Sequence, residues 1–148
     1  MTSAPHLLLI EAPYYEHLAA LLRQGAERAL AKVGATFDAI SVQGAFEIPA
    51  AIAIAAKSGA AYDGYVALGC VIRGETTHYD HICAETARAL QDLAVRNGLA
   101  IGYGILTVEN EAQALVRAAP DGRDKGGEAV RACLGIVAVR RRFMRTGS

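Results

Sequence analysis

Short apolar runs alternate along this chain with longer stretches whose apolar residues recur every three or four positions. His6–Ala12 (HLLLIEA) reads as a first strand, and Pro13-Tyr14-Tyr15 breaks it. From Glu16 onward Leu18, Leu21, Leu22, Gly25, Ala26, Ala29, Leu30 and Val33 fall at i, i+3, i+4, which predicts a helix closed by Gly34. Thr36–Val42 predicts a second strand, followed by the loop Gln43–Glu47. Ile48-Pro49 opens a second helix, with proline tolerated in the first turn. Its body, AAIAIAAK, is apolar all round and calls for cover on more than one side; in so short a chain this favours a subunit contact. Tyr65–Leu68 has the look of a buried parallel strand. From about Thr77 to Asn97 the period is helical again, with Ile82, Leu90 and Leu93 able to share a face and Gly98 closing the helix. Ala100–Leu106 predicts the fourth strand, Glu111–Arg117 a short helix, and Pro120-Asp121-Gly122 a turn. The last helix begins near Lys125 and places Ala129, Ala132, Cys133, Ile136 and Val137 on one face. It ends in Arg140, Arg141, Arg142 and Arg145, basic residues that complement a helix dipole, so a solvated helix end is favoured over an anion site.

The order is therefore βαβαβαβαα, without linker, internal repeat or low-complexity segment, and residues 1–148 read as one domain. Such alternation implies a three-layer α/β fold: a central four-stranded parallel sheet flanked by helices on both faces, with right-handed crossovers, in a flavodoxin-like layout. Neither a GxGxxG fingerprint nor a GxxxxGK[ST] loop is present, which disfavours nucleotide binding through those devices.

Composition narrows the class further. At 53% hydrophobic and 20% charged residues the chain should fold around a substantial core. Its formal net charge of zero gives no global attraction to nucleic acid or membrane. No apolar run is long enough to span a bilayer, and Met1–Pro5 carries no basic residue of the kind a secretory signal uses, so a cytoplasmic location is the default expectation. Cys70, Cys83 and Cys133 are odd in number and lack metal-ligand spacing; buried reduced thiols, no disulfide and no metal site are expected.

The candidate chemistry concentrates in Gly69–Ile82 (GCVIRGETTHYDHI), where Arg73, Gly74, Glu75, Thr76, Thr77 and His78 lie between a strand end and a helix start. In open α/β sheets ligands bind beyond the carboxyl ends of the strands, and a helix N-terminus offers free N–H groups to an anion. Thr76 or Thr77 can cap that helix, and His78 would sit in its first turn, where histidine is the natural side chain for moving protons. Any βα corner uses glycine and threonine, however, and a lone histidine there is also an ordinary surface residue.

Four motifs decide between these readings. GAFEIP (Gly44–Pro49), LGCVIRGETTHYDHI (Leu68–Ile82), GILTVEN (Gly104–Asn110) and DKGGEA (Asp124–Ala129) together resemble the lumazine synthase family, over essentially the whole chain and in matching order. The resemblance implies condensation of 5-amino-6-(D-ribitylamino)uracil with 3,4-dihydroxy-2-butanone 4-phosphate, giving 6,7-dimethyl-8-ribityllumazine, phosphate and water. It implies no cofactor or metal, two small-molecule substrates, and active sites between subunits of a homopentamer, which would also account for the alanine-rich helix. By position in the motifs, His78 is the acid–base residue. Glu75, Thr76 and the Gly74–Thr77 backbone match the phosphate site, with the Glu75 carboxylate turned away from the anion; Arg117 matches a phosphate-clamping arginine from the adjacent subunit. Tyr14, Ala45, Phe46, Glu47, Cys70, Val71 and Ile72 match positions that hold the pyrimidine and ribityl chain, and Tyr103 contributes across the interface. Ordinary aromatic packing is the competing reading for Tyr14 and Tyr103, and a helix-end arginine for Arg117.

Several residues depart from the family pattern. Tyr14 and Tyr103 stand where Phe or Trp is usual, Gln43 where Pro often precedes GAFE, and Asp124 where Asn is common. Lys125 reads equally as a site residue or as part of a helix start. Few residues precede the first strand, which argues against a large icosahedral shell. A flavin-binding paralogue and an assembly scaffold are the alternatives; the cluster of Glu47, Thr76, His78 and Arg117 favours the enzyme.

Overall fold

The computed structural model describes residues 3–146, with side chains described to Met144, so the Arg145 side chain lies outside the described part. Four strands, β1 (His6–Glu11), β2 (Thr36–Ser41), β3 (Gly64–Ile72) and β4 (Ile101–Val108), form one sheet in the order β2-β1-β3-β4, and every pairing is parallel. The helices are α1 (Glu16–Lys32), α2 (Ile48–Lys57), α3 (His78–Asn97), α4 (Glu111–Ala118) and α5 (Lys125–Thr146). The three-layer α/β class expected from the alternation is the one observed.

The layering follows from strand geometry, since successive side chains point to opposite faces. Leu7 and Leu9 of β1 enter a core with Leu18, Leu22 and Ala26 of α1, Ala114 of α4, and Val130 and Cys133 of α5. Leu8 and Ile10 enter the opposite core with Ile48 and Ile52 of α2 and Leu90 of α3. All four β1 residues are at most 3% exposed, which is why this strand reads as an unbroken apolar run rather than an alternating one.

Helix ends obey the local chemistry. Gly34 and Gly98 adopt φ of +70° and +62°, the left-handed conformation that ends a helix cheaply only at glycine. Asp124, just before α5, is the one described non-glycine residue at positive φ (49°), a position where Asn and Asp are best tolerated. Its Oδ1 accepts from Gly127 N at 3.3 Å, so aspartate here does what asparagine does elsewhere. Pro49 lies in the first turn of α2. Within one chain α2 buries its own Ile48, Pro49 and Ile52, while Ile54 stays 70% exposed. No helix is long and apolar enough to cross a membrane among the described residues.

Boundaries moved where pairing overrode the apolar pattern. β3 runs on through Gly69–Ile72 and β4 through Thr107–Val108, because Ile72 pairs with Val108 and each extension supplies the other's hydrogen bonds. Ala45–Glu47, expected as loop, forms a 3-10 turn leading straight into α2.

Candidate active site

From β1 the chain passes to β2 on one side, while β3 lies on the other. That reversal leaves a crevice at the carboxyl ends of β1 and β3, where open sheets bind ligands. The crevice is occupied by a cleft of about 540 Å³, walled by Ala12, Tyr14 and Tyr15 after β1, Gln43–Glu47 after β2, Cys70, Val71 and Ile72 at the end of β3, and His78 and Ile82 on α3. Eight of the residues singled out from sequence thus meet in one place: Tyr14, Ala45, Phe46, Glu47, Cys70, Val71, Ile72 and His78.

The walls are of two kinds. Ala45 is buried and anchors the 3-10 turn, while Tyr14 (76% exposed) and Phe46 (54%) present free ring faces, as a flat heteroaromatic ligand requires. Tyr14 meets Tyr15 edge-on, with ring centroids 4.9 Å apart. Burial pushes the Tyr15 hydroxyl pKa up, with smaller contributions from Cys70, Tyr14 and Glu111. Burial also pushes the Cys70 thiol up to about 11, so it lines the cleft as a neutral group rather than a nucleophile.

His78 is the first residue of α3, exposed toward the cleft, and its imidazole makes no hydrogen bond among the described residues. Its backbone N–H donates to Thr76 Oγ1 at 3.3 Å. Thr77 occupies the cap position but makes no side-chain cap bond, so of the two candidate threonines it is Thr76 that serves the helix start. Glu75 and Thr76 are exposed in the loop before α3 and are not among the walls of this cleft.

Tyr103 and Arg117 lie elsewhere. They wall a second cleft, of about 370 Å³, with Ile105, Leu106 and Thr107 of β4, Arg123, and Lys125 and Glu128 of α5. No residue lines both clefts. β4 has a neighbour on one side only, so this second cleft sits along the free edge of the sheet. Arg117 donates to the Gln113 carbonyl at 3.0 Å, and Lys125 pairs with Glu128 at 2.9 Å. Three cations against one carboxylate leave the second cleft positive, a setting for an anion such as phosphate.

Tyr15 and Arg123 are among the lining residues that the sequence did not mark as site residues. Tyr14 alone matches the aromatic position of the resemblance, and its neighbour Tyr15 carries no separate signal; Arg123 sits in a turn without periodicity, and nothing in its neighbours marks it.

With this geometry in hand, the likeness to known proteins is informative. Residues 4–141 match the family described as 6,7-dimethyl-8-ribityllumazine synthase. The protein of that name from Bartonella tribocorum is 53% identical over 143 residues, covering 97% of this chain and 95% of the relative. Those from Agrobacterium fabrum (52% over 145 residues; 95% and 98% covered) and Novosphingobium aromaticivorans (54% over 136 residues; 92% and 96%) carry the same name. A match spanning both clefts and every strand, at this identity, admits one conclusion: the chain belongs to the 6,7-dimethyl-8-ribityllumazine synthase family.

Proposed function

We propose that this chain is a transferase of riboflavin biosynthesis that condenses 5-amino-6-(D-ribitylamino)uracil with 3,4-dihydroxy-2-butanone 4-phosphate. The observation that carries the reading is the first cleft, where two open aromatic faces, Glu47 and an unengaged imidazole converge. The pyrimidine lies against Tyr14 and Phe46 with Cys70, Val71 and Ile72 beneath it, and Glu47 accepts hydrogen bonds from ribityl hydroxyls. The aromatic amine attacks the ketone, water leaves as the imine forms, phosphate is eliminated, and the second amine closes the ring with loss of water. Each step moves protons, and His78 serves as acid and base in turn. The Gly74–Thr77 backbone and Thr76 hold the phosphate at the start of α3, and Glu75 points away from it.

Arg117 and Tyr103 belong to the same reaction from a neighbouring copy. Their cleft is cationic and shares no wall with the His78 cleft, so a second chain laid across the β1–β3 crevice completes the site. The exposed side of α2, with Ile54, supports association into a homopentamer. The chain works in the cytoplasm, without cofactor or metal.

The test is direct: purified protein with both substrates, followed for lumazine formation against a no-enzyme control. His78→Ala should slow turnover about 10²–10⁴-fold while leaving the fold intact. Unchanged turnover removes His78 from the mechanism, and no acceleration by the unmutated chain defeats the assignment.

A further inference from the structure

Arg73 is the first residue after β3, and its side chain meets three residues, Glu109, Asp80 and Tyr79. Its backbone N–H donates to Val108 O at 2.9 Å, prolonging the β3–β4 ladder by one rung. Its Nε lies 3.0 Å from both carboxylate oxygens of Glu109, its Nη2 3.3 Å from Asp80 Oδ1, and its Cζ 4.4 Å from the centroid of the Tyr79 ring. Glu109 directly follows β4, and its N–H donates to Gln113 Oε1 at 2.8 Å, inside the helix that carries Arg117. Tyr79 and Asp80 directly follow His78 in α3.

A single guanidinium therefore joins the start of the β3–α3 loop to the first turn of α3 and to the end of β4. Between these anchors, residues 74–77 are exposed, and their side chains contribute one bond, from His78 N to Thr76. We infer that Arg73 is the positioning residue that holds the first turn of α3, and with it His78, in place over the cleft; this rests on the acid–base role proposed for His78. Each ion pair is partly exposed and weak taken singly. A planar fork that stacks on a ring and binds two carboxylates at once nevertheless fixes orientation, and lysine cannot copy that geometry.

Arg73 is not a phosphate ligand. Glu109 and Asp80 already face its donors, and the three groups together carry a net negative charge that repels an incoming anion. The two roles separate experimentally. Arg73→Ala and Arg73→Lys should both lower kcat about tenfold or more, as small misplacements of a catalytic group do, with a smaller effect on KM for the phosphate substrate. A raised KM with kcat intact, or a lysine variant that behaves as the unmutated chain, overturns the inference. In a His78→Ala background Arg73→Ala should add almost nothing, because the group it positions is gone; full additivity contradicts the clamp.

A readout independent of catalysis guards against failure of the functional reading itself. In imidazole-edited NMR of Arg73→Ala, the ring signals of His78 and its α3 neighbour His81 should shift or broaden while those of His6 and His17 stay in place. Unmoved His78 signals overturn the proposal even if turnover falls, and movement of all four histidines marks a general structural loss instead and also overturns it.

Discussion

Gly126 of the DKGG motif is explained by a helix crossing, and that makes a quantitative prediction. A Cβ built on Gly126 would fall on the Leu22 carbonyl oxygen of α1, 2.9 Å from the Leu22 carbonyl carbon and 3.2 Å from Ala26 N. All three are backbone atoms held by helical hydrogen bonds, so no rotamer change relieves the overlap. Gly126→Ala must push α5 off α1 by more than an ångström, along a seam where Leu22, Ala26 and Val130 are at most 1% exposed. Overpacking of this kind costs about 1–3 kcal/mol, and rigid backbone on both sides places it at the upper end. Alanine's better helix propensity returns up to about 1 kcal/mol. The net loss is about 2 kcal/mol, or about 4–8 °C in Tm for a chain of this size. Gly135, on the same helix, is the internal control: a Cβ there meets nothing within 4 Å. Gly135→Ala should therefore stabilise by up to about 1 kcal/mol. Thermal unfolding by circular dichroism, at matched concentrations because association raises apparent stability, reads both variants. If Gly126→Ala melts at or above the unmutated chain, the close crossing is not what the glycine serves.

Other sites give independent checks. The Thr86 hydroxyl is buried, with the residue 2% exposed, and has no hydrogen-bond partner among the described residues, so the isosteric Thr86→Val should stabilise by about 1 kcal/mol; a lower urea midpoint would mean that the hydroxyl is satisfied. Asn110 Oδ1 accepts from Gln113 N at 2.9 Å at the start of α4, and Asn110→Ala should cost about 1 kcal/mol in the same assay. With its pKa pushed up to about 11 by burial, Cys70 should carry less thiolate than a free cysteine at any pH below that value. Its alkylation by iodoacetamide, followed by mass spectrometry, should thus be slow at neutral pH and accelerate on the alkaline side; free-cysteine rates at neutral pH would contradict the raised pKa of this half-buried thiol.

How much of this was legible beforehand depended on whether the information was local. Leu7–Ile10 announced a central strand because all four are buried, and Gly34 and Gly98 announced helix ends because only glycine takes their φ without strain. The extensions of β3 and β4 were not legible: Gly69-Cys70 interrupts the apolar run, and what keeps the chain extended there is a partner strand distant in sequence. Thr76 and Thr77 are equivalent as letters, and only the backbone course decides that Thr76 accepts the His78 N–H. Eight residues named from the sequence, Tyr14 and seven within the motifs, line the first cleft, since three loops at one sheet end converge on it. Sequence order alone could not show that Tyr103 and Arg117 line a separate cleft, because that follows from β4 being an edge strand.

That separation has a consequence for any site shared between copies. A head-to-tail interface joins two different faces, here the His78 cleft of one chain and the Arg117 cleft of the next, and it closes into a ring when the rotation allows. Suppose His78→Ala and Arg117→Ala chains are co-expressed in equal amounts. At a junction between unlike copies, one arrangement joins two damaged faces and the other two intact ones. Random assembly then leaves about a quarter of junctions fully intact, so the mixture should recover about a quarter of unmutated turnover, measured where the phosphate substrate is too dilute to saturate the arginine variant. Homogeneous rings of either variant contain no intact junction. Turnover of the mixture equal to the mean of the two variants would place His78 and Arg117 of a single chain in the same site, and the head-to-tail arrangement would have to be abandoned.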